Sequence, residues 1–370
     1  MFASASIIME LILLEAISAE LEANLRKRRR RFLVNRRIDQ AMELPDEEFL
    51  EHFRITKEMF VEIMNLTEDA LPDSDTACGY PKPIQVLSVL SWLANGHIED
   101  VLDPGVPIES STNSMCRMIS QVIPILEEKL GSAFIQWPRT LSQRKSIKEG
   151  FYAKRGIPST IGIIDCMHVE IKKPDKAHQC LNQYDKYSLS VSLICDHEGK
   201  FIAADATYGG ATHSSDIWNM SHERAFMEKI YNENREKCWI LGNKAYHLEP
   251  WLISPYRTTT QEDIEFNKKF SAVHAIMSRN LGILRSRWKI LTKKLLCTPN
   301  KTSKIAYLCV ALHNMCKMRN VPDVRIERSV QEMQDREEII EVDEAFDEEN
   351  EEDQWKKGAA NRELIKQILT

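Results

Sequence analysis

The stretch IGIIDCMHVEI, at residues 161–171, decides the fold class of this chain. Its apolar and β-branched residues run almost without a break, which is typical of a β-strand buried on both faces. Similar runs predict strands at residues 188–196, 201–207 and 238–241, and residues 197–200 (HEGK) predict a hairpin turn between the first two of these. The middle of the chain is therefore expected to form a sheet.

Two apolar-periodic segments follow the predicted strands. Residues 266–291 carry a helical stripe of apolar side chains, and residues 305–317 predict one more apolar helix. Strands followed by helices that pack on them define an α/β layer fold.

The sharpest single residue is Asp165, which interrupts the apolar run of the first strand. An ionised carboxylate is costly in such a strand unless it has a partner or a metal ion. Carboxylates that converge from several strands suit two-metal phosphoryl transfer, but one Asp cannot supply the oxygen ligands that two Mg²⁺ ions need. A structural pair with a nearby Lys or His, such as His168, is the open alternative.

The region before the sheet has a helical pattern. Residues 40–135 show apolar side chains at helical spacing, including residues 84–94. A short helix at 98–102, a tight turn and a longer helix, which is capped by residues 110–112 and runs to about residue 130, together resemble a helix-turn-helix. DNA reading by this element and plain helix packing both remain open.

Composition excludes several classes of protein. The chain has 370 residues, 43% hydrophobic and 28% charged, which is ordinary for a globular protein and excludes wholesale disorder. The longest apolar segment, at residues 7–17, is interrupted by Glu10 and Glu15, so neither a membrane span nor a signal peptide is expected. Nine cysteines without a Cys-x-x-Cys pair favour reduced thiols over a zinc module.

Charge is separated along the chain, although the net charge is only −6. Residues 26–31 are six consecutive basic residues, which suit phosphate binding or nuclear import, or else form a solvated helix end. Residues 327–353 hold fourteen acids against two basic residues. We expect this acidic stretch to be solvated and partly disordered, with the option of shielding a basic surface of the same molecule.

Five segments, in chain order, resemble those of one known family. Residues 163–168 (IIDCMH) resemble its first catalytic-Asp strand, and residues 210–218 (GATHSSDIW) its Gly-x-x-His-Asp-Ser-x-x-Trp stretch. Residues 241–252 (LGNKAYHLEPWL) are similar to its Leu-Gly-Asp-Ser-Gly-Tyr-Pro-Leu segment. Residues 278–288 (SRNLGILRSRW) resemble its Glu-Arg-x-Phe-Gly-x-Leu-Lys-x-Arg block, and residues 312–314 its closing Leu-His-Asn. The family is that of the PIF/Harbinger transposases, whose domesticated members are Harbinger transposase-derived nucleases.

The resemblance implies a ribonuclease-H-like DDE transposase core that cleaves DNA with Asp, Asp and Glu around divalent metal. Asp165 retains the first of these positions. The second Asp falls on Asn243, the Glu on Ser278, and the Asp of the His-Asp-Ser stretch on Ser214. Three of these four acidic positions are therefore neutral, and the anionic field that would hold Mg²⁺ or Mn²⁺ is largely lost. We expect no cofactor unless activity is retained, in which case Mg²⁺ or Mn²⁺ would serve.

Replacement carboxylates could rebuild a metal site beside Asp165. Asp216 follows Ser214 by two residues, and Asp205 lies on a neighbouring predicted strand. The alternative is that both face solvent.

Two further candidate constellations are weaker. His168, His213 and His247 fit no standard metal spacing and are expected to be structural. Ser214 and Ser215 beside His213 lack a third group, so a catalytic triad is not expected.

The sequence therefore predicts four regions. Residues 1–39 form a helical segment and basic arm, and residues 40–150 a helical, helix-turn-helix-like domain. Residues 151–320 form a degenerate DDE transposase core, and residues 321–370 an acidic, partly disordered tail. The predicted nucleic-acid contacts are Arg26, Lys27, Arg28, Arg29, Arg30, Arg31, Arg279, Arg285 and Arg287.

Three functional hypotheses follow. The first is a catalytically inactive, domesticated transposase that binds DNA or chromatin in the nucleus, and the resemblance implies a Myb/SANT-like protein as its partner. The second is an active metal-dependent nuclease with a rearranged site. The third is a protein-interaction scaffold without DNA affinity. The basic arm favours the first over the third, and the losses at Ser214, Asn243 and Ser278 favour it over the second.

Overall fold

The structure, a computed structural model, describes residues 20–22, 38–73, 80–96, 112–233, 236–257, 260–341 and 352–369. The predicted basic arm at residues 26–31 and the predicted short helix at residues 98–102 lie outside the described residues. No helix of the described part is long and apolar enough to cross a bilayer.

The described residues before the sheet are largely helical between residues 38 and 155, in agreement with the predicted helical region. Five of these helices position the core. They are α1 (Asp46–Phe53), α2 (Lys57–Thr67), α3 (Lys82–Asn95), α4 (Thr112–Phe134) and α5 (Leu141–Arg155). The helix α4 is the second helix of the predicted helix-turn-helix, and it contains Pro124. The helix α5 begins with a capping box, in which the side chain of Thr140 accepts a hydrogen bond from the backbone N–H of Gln143, and the Gln143 side chain accepts one from the backbone N–H of Thr140.

The sheet has five strands in the order β3-β2-β1-β4-β5. Their bounds are β1 (Thr160–Glu170), β2 (Ser188–Cys195), β3 (Phe201–Gly209), β4 (Trp239–Leu241) and β5 (Leu252–Ile253). Strands β1, β2 and β3 pair antiparallel, whereas β4 is parallel to β1 and β5 is parallel to β4. The four predicted strands are confirmed, and the two-residue strand β5 was not predicted. This mixed sheet, with its packed helices, is a ribonuclease-H-like core.

Helices cover both faces of the sheet. The described helices that follow β1 are α6 (Ala177–Cys180), α7 (Ser214–Asn219), α8 (His222–Asn232), α9 (Gln261–Arg287), α10 (Pro299–Met318), α11 (Arg328–Glu341) and α12 (Glu352–Leu369), with a 3-10 turn at Lys289–Thr292. Residues of α4, α9 and α10 share one large apolar core with one face of β1. A smaller cluster, which includes Ile164, Ile194 and Trp218, fills the opposite face.

The Leu-His-Asn segment ties α10 to its neighbours. The buried Asn314 accepts a hydrogen bond from the N–H of Phe201 (2.8 Å) and donates to the carbonyls of Phe201 (2.6 Å) and Phe134 (2.8 Å). His313 donates from Nε2 to the carbonyl of Gly199 (3.2 Å). Burial lowers the pKa of His313 to about 3, so the ring is neutral at pH 7.

The expected turn between β2 and β3 is confirmed at residues 197–200. The carboxylate of Asp196 accepts hydrogen bonds from the N–H groups of Glu198 (2.8 Å) and Lys200 (3.0 Å). Gly199 has φ +81°, and a Cβ at this position would lie 2.1 Å from the side chain of Asn280. Glycine is therefore required both by the backbone and by the close approach of α9.

The described part of the predicted tail, residues 321–370, packs on the core. Within the described residues it contains α11 and α12, and α11 packs along α9. The buried residues Val330 and Ile365 anchor these two helices. The eight described cysteines are free thiols, and Cys116 is the exposed one among them.

Candidate functional site

Asp165 and Asn243 come together because β1 and β4 are parallel neighbours. The register pairs Ile163 with Leu241, so the positions two residues further along each strand lie level with each other. The amide Nδ2 of Asn243 donates to Oδ1 of Asp165 at 3.1 Å, and the N–H of Cys166 donates to the same oxygen at 2.8 Å. The first two family positions are therefore adjacent, as the resemblance implies.

His274 on α9 completes this site and was not anticipated from the sequence. Its Nε2 lies 3.9 Å from Oδ2 of Asp165, and the two side chains are 13% and 14% exposed. The alternative of a structural pair between Asp165 and a Lys or His therefore applies to His274, whereas His168 contacts the hydroxyl of Ser188. Its position in the sequence could have pointed to it, because His274 precedes Ser278 by four residues and therefore lies one turn earlier on the same helix.

The groups around Asp165 are hydrogen-bond donors that suit its negatively charged carboxylate. They are not the oxygen ligands that a divalent cation needs. Asn243 directs its amide N–H to the carboxylate, while its Oδ1 accepts a hydrogen bond from the N–H of Ala245 (2.9 Å). A Mg²⁺ site needs several oxygen ligands. Of the two aligned family positions at this site, Asp165 and Asn243, Asp165 alone carries a carboxylate. Within the described residues, no group of three or more His, Cys, Asp or Glu side chains could hold a metal ion. The donor set therefore does not fit the family's metal pair.

The substituted position Ser278 lies on α9, one turn beyond His274. Its carbonyl accepts a hydrogen bond from Nε2 of Gln334 on α11 (2.8 Å). The acidic segment thus lies against the place where the family carries its Glu.

The two candidate replacement carboxylates are not brought to Asp165. Asp165 pairs with Leu193, which pairs with Ala204, so these three side chains share one face. Asp205 is the next residue along β3 and points to the opposite face, where its carboxylate accepts hydrogen bonds from Thr207. Of the two alternatives for Asp205, the register therefore excludes the one in which it faces Asp165.

Asp216 and Ser214 lie on the short helix α7. Asp216 is exposed, and Ser214 is buried next to the N-cap residue His213. Trp218 of the same helix belongs to the apolar cluster on the face opposite Asp165. The structure therefore places the candidate ligand Asp216 in solvent rather than at Asp165.

The candidate histidines His168 and His213 contact different residues and do not form a common site. His168 lies 3.0 Å from the hydroxyl of Ser188 through Nδ1, and His213 lies 2.8 Å from the hydroxyl of Ser215 through Nδ1. Burial lowers the pKa of His168, with smaller opposing and supporting effects of Glu337 and Arg285.

Two of the three arginines predicted to contact nucleic acid on α9 are buried. Arg285 has no exposed side-chain surface and forms a two-pronged ion pair with Glu337, both distances being 2.8 Å. Arg287 is 2% exposed and donates to the carbonyls of Arg54 (3.2 Å) and Pro322 (2.7 Å). These two expectations are wrong, because the acidic segment covers this side of α9. Arg279 is 64% exposed and remains accessible.

Two cavities flank the segment that leads into α11. The first, of about 720 Å³, is lined by basic side chains of α5, α9 and α10, and the second is about 600 Å³. Ile326 lines both of them. We call the two cavities together the basic groove. Its cationic lining residues are Lys154, Arg155, Arg279 and Lys317 in the first cavity and Arg54, Arg325 and Arg328 in the second.

The sheet order and the packed helices define a ribonuclease-H-like fold. Comparison with known families agrees: residues 164–314 match the DDE superfamily endonucleases. No solved structure matches the chain.

The relatives place the chain more narrowly. It is 26% identical over 264 residues to HARBI1 of Xenopus laevis, which is named as a nuclease, and the match covers 70% of this chain and 74% of that protein. It is 28% identical over 236 residues to HARBI1 of Bos taurus, covering 62% and 66% of the two chains. An ALP1-like protein of Arabidopsis thaliana is 25% identical over 247 residues, covering 62% and 59%. These findings support the resemblance to the Harbinger transposase-derived nucleases that the sequence segments indicate.

Proposed function

We propose that this protein is a nuclear DNA- or chromatin-associated binding protein in which the nuclease activity of the family has been lost. The observation that carries the proposal is the environment of Asp165, where Asn243 donates an amide N–H and His274 presents a ring nitrogen. A carboxylate held by these groups is stabilised as an anion without a metal ion. The chain then keeps the fold of the nucleases but not their catalytic activity.

DNA affinity is supported by charge rather than by the degenerate site. The sequence carries the basic run at residues 26–31, and the structure adds the basic groove beside α9. Clustered Lys and Arg side chains bind phosphates by counterion release, which gives affinity without sequence preference. A Myb/SANT-like protein, implied by the family resemblance, would supply targeting and import.

The decisive experiment measures nicking of supercoiled DNA by the purified protein in Mg²⁺ and in Mn²⁺. The variants are Asp165→Ala and a triple revertant with Ser214→Asp, Asn243→Asp and Ser278→Glu. We expect the wild-type protein to leave the DNA intact. Nicking by wild type that disappears in Asp165→Ala would refute the loss of activity and establish the alternative, a divalent-metal-dependent nuclease with a rearranged site.

DNA binding needs its own measurement. We expect the wild-type protein to bind a labelled duplex with an affinity that falls steeply as salt rises. A protein that shows no salt-dependent binding at low ionic strength would instead be a protein-interaction scaffold. Imaging of a tagged chain, with and without residues 26–31, tests the nuclear location.

A further inference from the structure

The segment at residues 322–337, which we call the strap, neutralises basic side chains of the core. Asp323 lies 3.3 Å from Nη2 of Arg279 and 3.0 Å from Nζ of Lys317. Glu327 lies 2.8 Å from Nζ of Lys289. The strap therefore places carboxylates on α9, α10 and the turn that follows α9.

The strap is held to the core at each of its two ends, Pro322 and Glu337. The buried Arg287 holds the carbonyl of Pro322 at 2.7 Å, and the buried Arg285 holds Glu337. Buried, hydrogen-bonded charges are costly to separate, so these two contacts act as anchors. The carboxylates between them can move by side-chain rotation without detachment of the strap.

Asp323 is the outer carboxylate whose partners reach solvent. The side chain of Arg279 is 64% exposed, that of Asp323 29% and that of Lys317 18%. Burial by itself would raise the pKa of Asp323, but hydrogen bonds and charge from Lys317 and Arg279 outweigh it, so the pKa is lowered and the group is an anion. An oxyanion therefore fits between these two cations.

The same two cations line the first cavity of the basic groove. Lys154 and Arg155, at the end of α5, complete its positive wall, and Glu198 is the acid among its lining residues. Glu198 is itself paired with Lys200 at 2.8 Å. The cavity therefore keeps an excess of positive charge.

The second cavity continues the positive surface on the other side of Ile326. Arg325 is exposed there, and within the described residues neither it nor Arg155 forms an ion pair. Structural arginines such as Arg285 and Arg287 are buried and bonded, so these two exposed arginines serve no fold contact of that kind. Exposed guanidinium groups along a groove suit the phosphates of a polyanion.

We propose that the basic groove binds the sugar-phosphate backbone of nucleic acid, and that the carboxylate of Asp323 occupies one phosphate position when no ligand is bound. The inference rests on the proposed DNA-binding function and specifies its surface. Backbone phosphates would contact Arg155, Arg279, Lys317 and Arg325. Asp323 would withdraw from Arg279 and Lys317 as a phosphate arrives, while the anchors at Arg285 and Arg287 stay in place.

The test compares duplex affinities, measured by fluorescence anisotropy with a labelled 20-base-pair DNA over a range of salt concentrations. We expect Asp323→Asn to tighten binding about fivefold at physiological salt and to steepen the slope of log affinity against log salt by about one, because one more cation becomes available to phosphate. We expect Arg155→Gln and Arg325→Gln each to weaken binding by about the same factor.

Matched controls remove the same charges elsewhere. Asp46→Asn frees Lys57 from an ion pair (3.0 Å) that joins the start of α1 to the start of α2, and Arg139→Gln removes an exposed arginine before α5. If Asp46→Asn tightens binding as much as Asp323→Asn, or Arg139→Gln weakens it as much as Arg155→Gln, net charge alone explains the affinity and the groove is excluded. Hydrogen exchange of each variant confirms that the fold is retained.

A second probe separates failure of the groove from failure of the proposed function. Inorganic triphosphate is titrated by calorimetry into wild type, Asp323→Asn and Arg155→Gln, and a single-stranded DNA of the same length is tested beside the duplex. If no DNA binds but triphosphate binding follows the order Asp323→Asn, wild type, Arg155→Gln, the phosphate site stands and the DNA function falls. If the three proteins bind triphosphate equally, the phosphate site itself is refuted.

Discussion

Glu337 should be among the most sensitive positions in the acidic segment. Its two carboxylate oxygens each accept a hydrogen bond from Arg285 at 2.8 Å, and the Arg285 side chain has no exposed surface. Glu337→Gln keeps the size of the side chain and removes its charge. The guanidinium would then lose its counter-ion and keep one hydrogen bond to the amide oxygen of the new side chain, beside its contact with the carbonyl of His168 (3.3 Å).

The magnitude follows from the desolvation of a lone cation. Removal of one partner from a buried ion pair typically costs about 3–5 kcal/mol. The Glu337 side chain is 18% exposed, so water can reach part of the vacated space and the lower end of that range applies. We therefore expect Glu337→Gln to destabilise the packed strap by about 3 kcal/mol.

The assay combines urea unfolding with hydrogen exchange of α11 and α9. Glu332→Gln is the control, because Glu332 pairs with Arg328 at the surface (2.9 Å), and such pairs are worth about 0.2–1 kcal/mol. A double variant with Arg285→Met and Glu337→Met should cost much less than the sum of its single changes. Equal effects of Glu337→Gln and Glu332→Gln, or additive Met variants, would refute the reasoning.

Three further outcomes are expected. The pKa of His313 is lowered to about 3 in the fold and has its ordinary value near 6.5 in the unfolded chain. Its contribution to stability is therefore complete above pH 6.5 and is lost as the pH falls toward 3. The urea midpoints of His313→Gln should fall less steeply in that pH window than those of wild type. Gly199→Ala should cost about 2 kcal/mol or more in thermal unfolding, whereas Gly156→Ala, with φ +69° but no atom within 4 Å of the new Cβ, should show only the backbone cost of about 1 kcal/mol. Thr140→Ala should cost about 1 kcal/mol through loss of the cap of α5, and an unchanged melting temperature would contradict that assignment.

The strands of the core were predictable because each buried run is continuous in sequence. The β1 run at residues 160–170, the β2 run at residues 188–195 and the turn between β2 and β3 all carry their signals locally. The strand β5 has two residues and no pattern of its own, since only its neighbour β4 defines it. The family resemblance supplied the ribonuclease-H-like core, whereas the order of the strands in the sheet was seen only in the structure.

The candidate site was predictable in its positions but not in its contacts. The sequence resemblance aligned Asp165 with Asn243, and the parallel register brings them to 3.1 Å. His274 could not be assigned to Asp165 from spacing, because 109 residues separate them and helix α9 must first pack on β1. Asp205 shows the opposite failure, since a one-residue difference in register sends a side chain to the other face.

The arginines of α9 illustrate a third limit. A helical wheel places Arg285 and Arg287 away from the apolar stripe, which suggests solvent. Their partners lie 52 and 35 residues further along the chain, in a segment whose composition indicates a solvated tail. Only the folded chain shows that the acidic segment completes the core.

The two anchors of the strap bear on where the polypeptide can be divided. A recombinant fragment that stops at residue 320, the boundary that sequence composition suggests, would lose Pro322 and Glu337 and leave two guanidinium groups facing an apolar interior. Such a fragment should be recovered as insoluble material, whereas one that ends beyond residue 341 keeps both contacts. The nuclease-like core therefore has to be expressed together with its acidic extension.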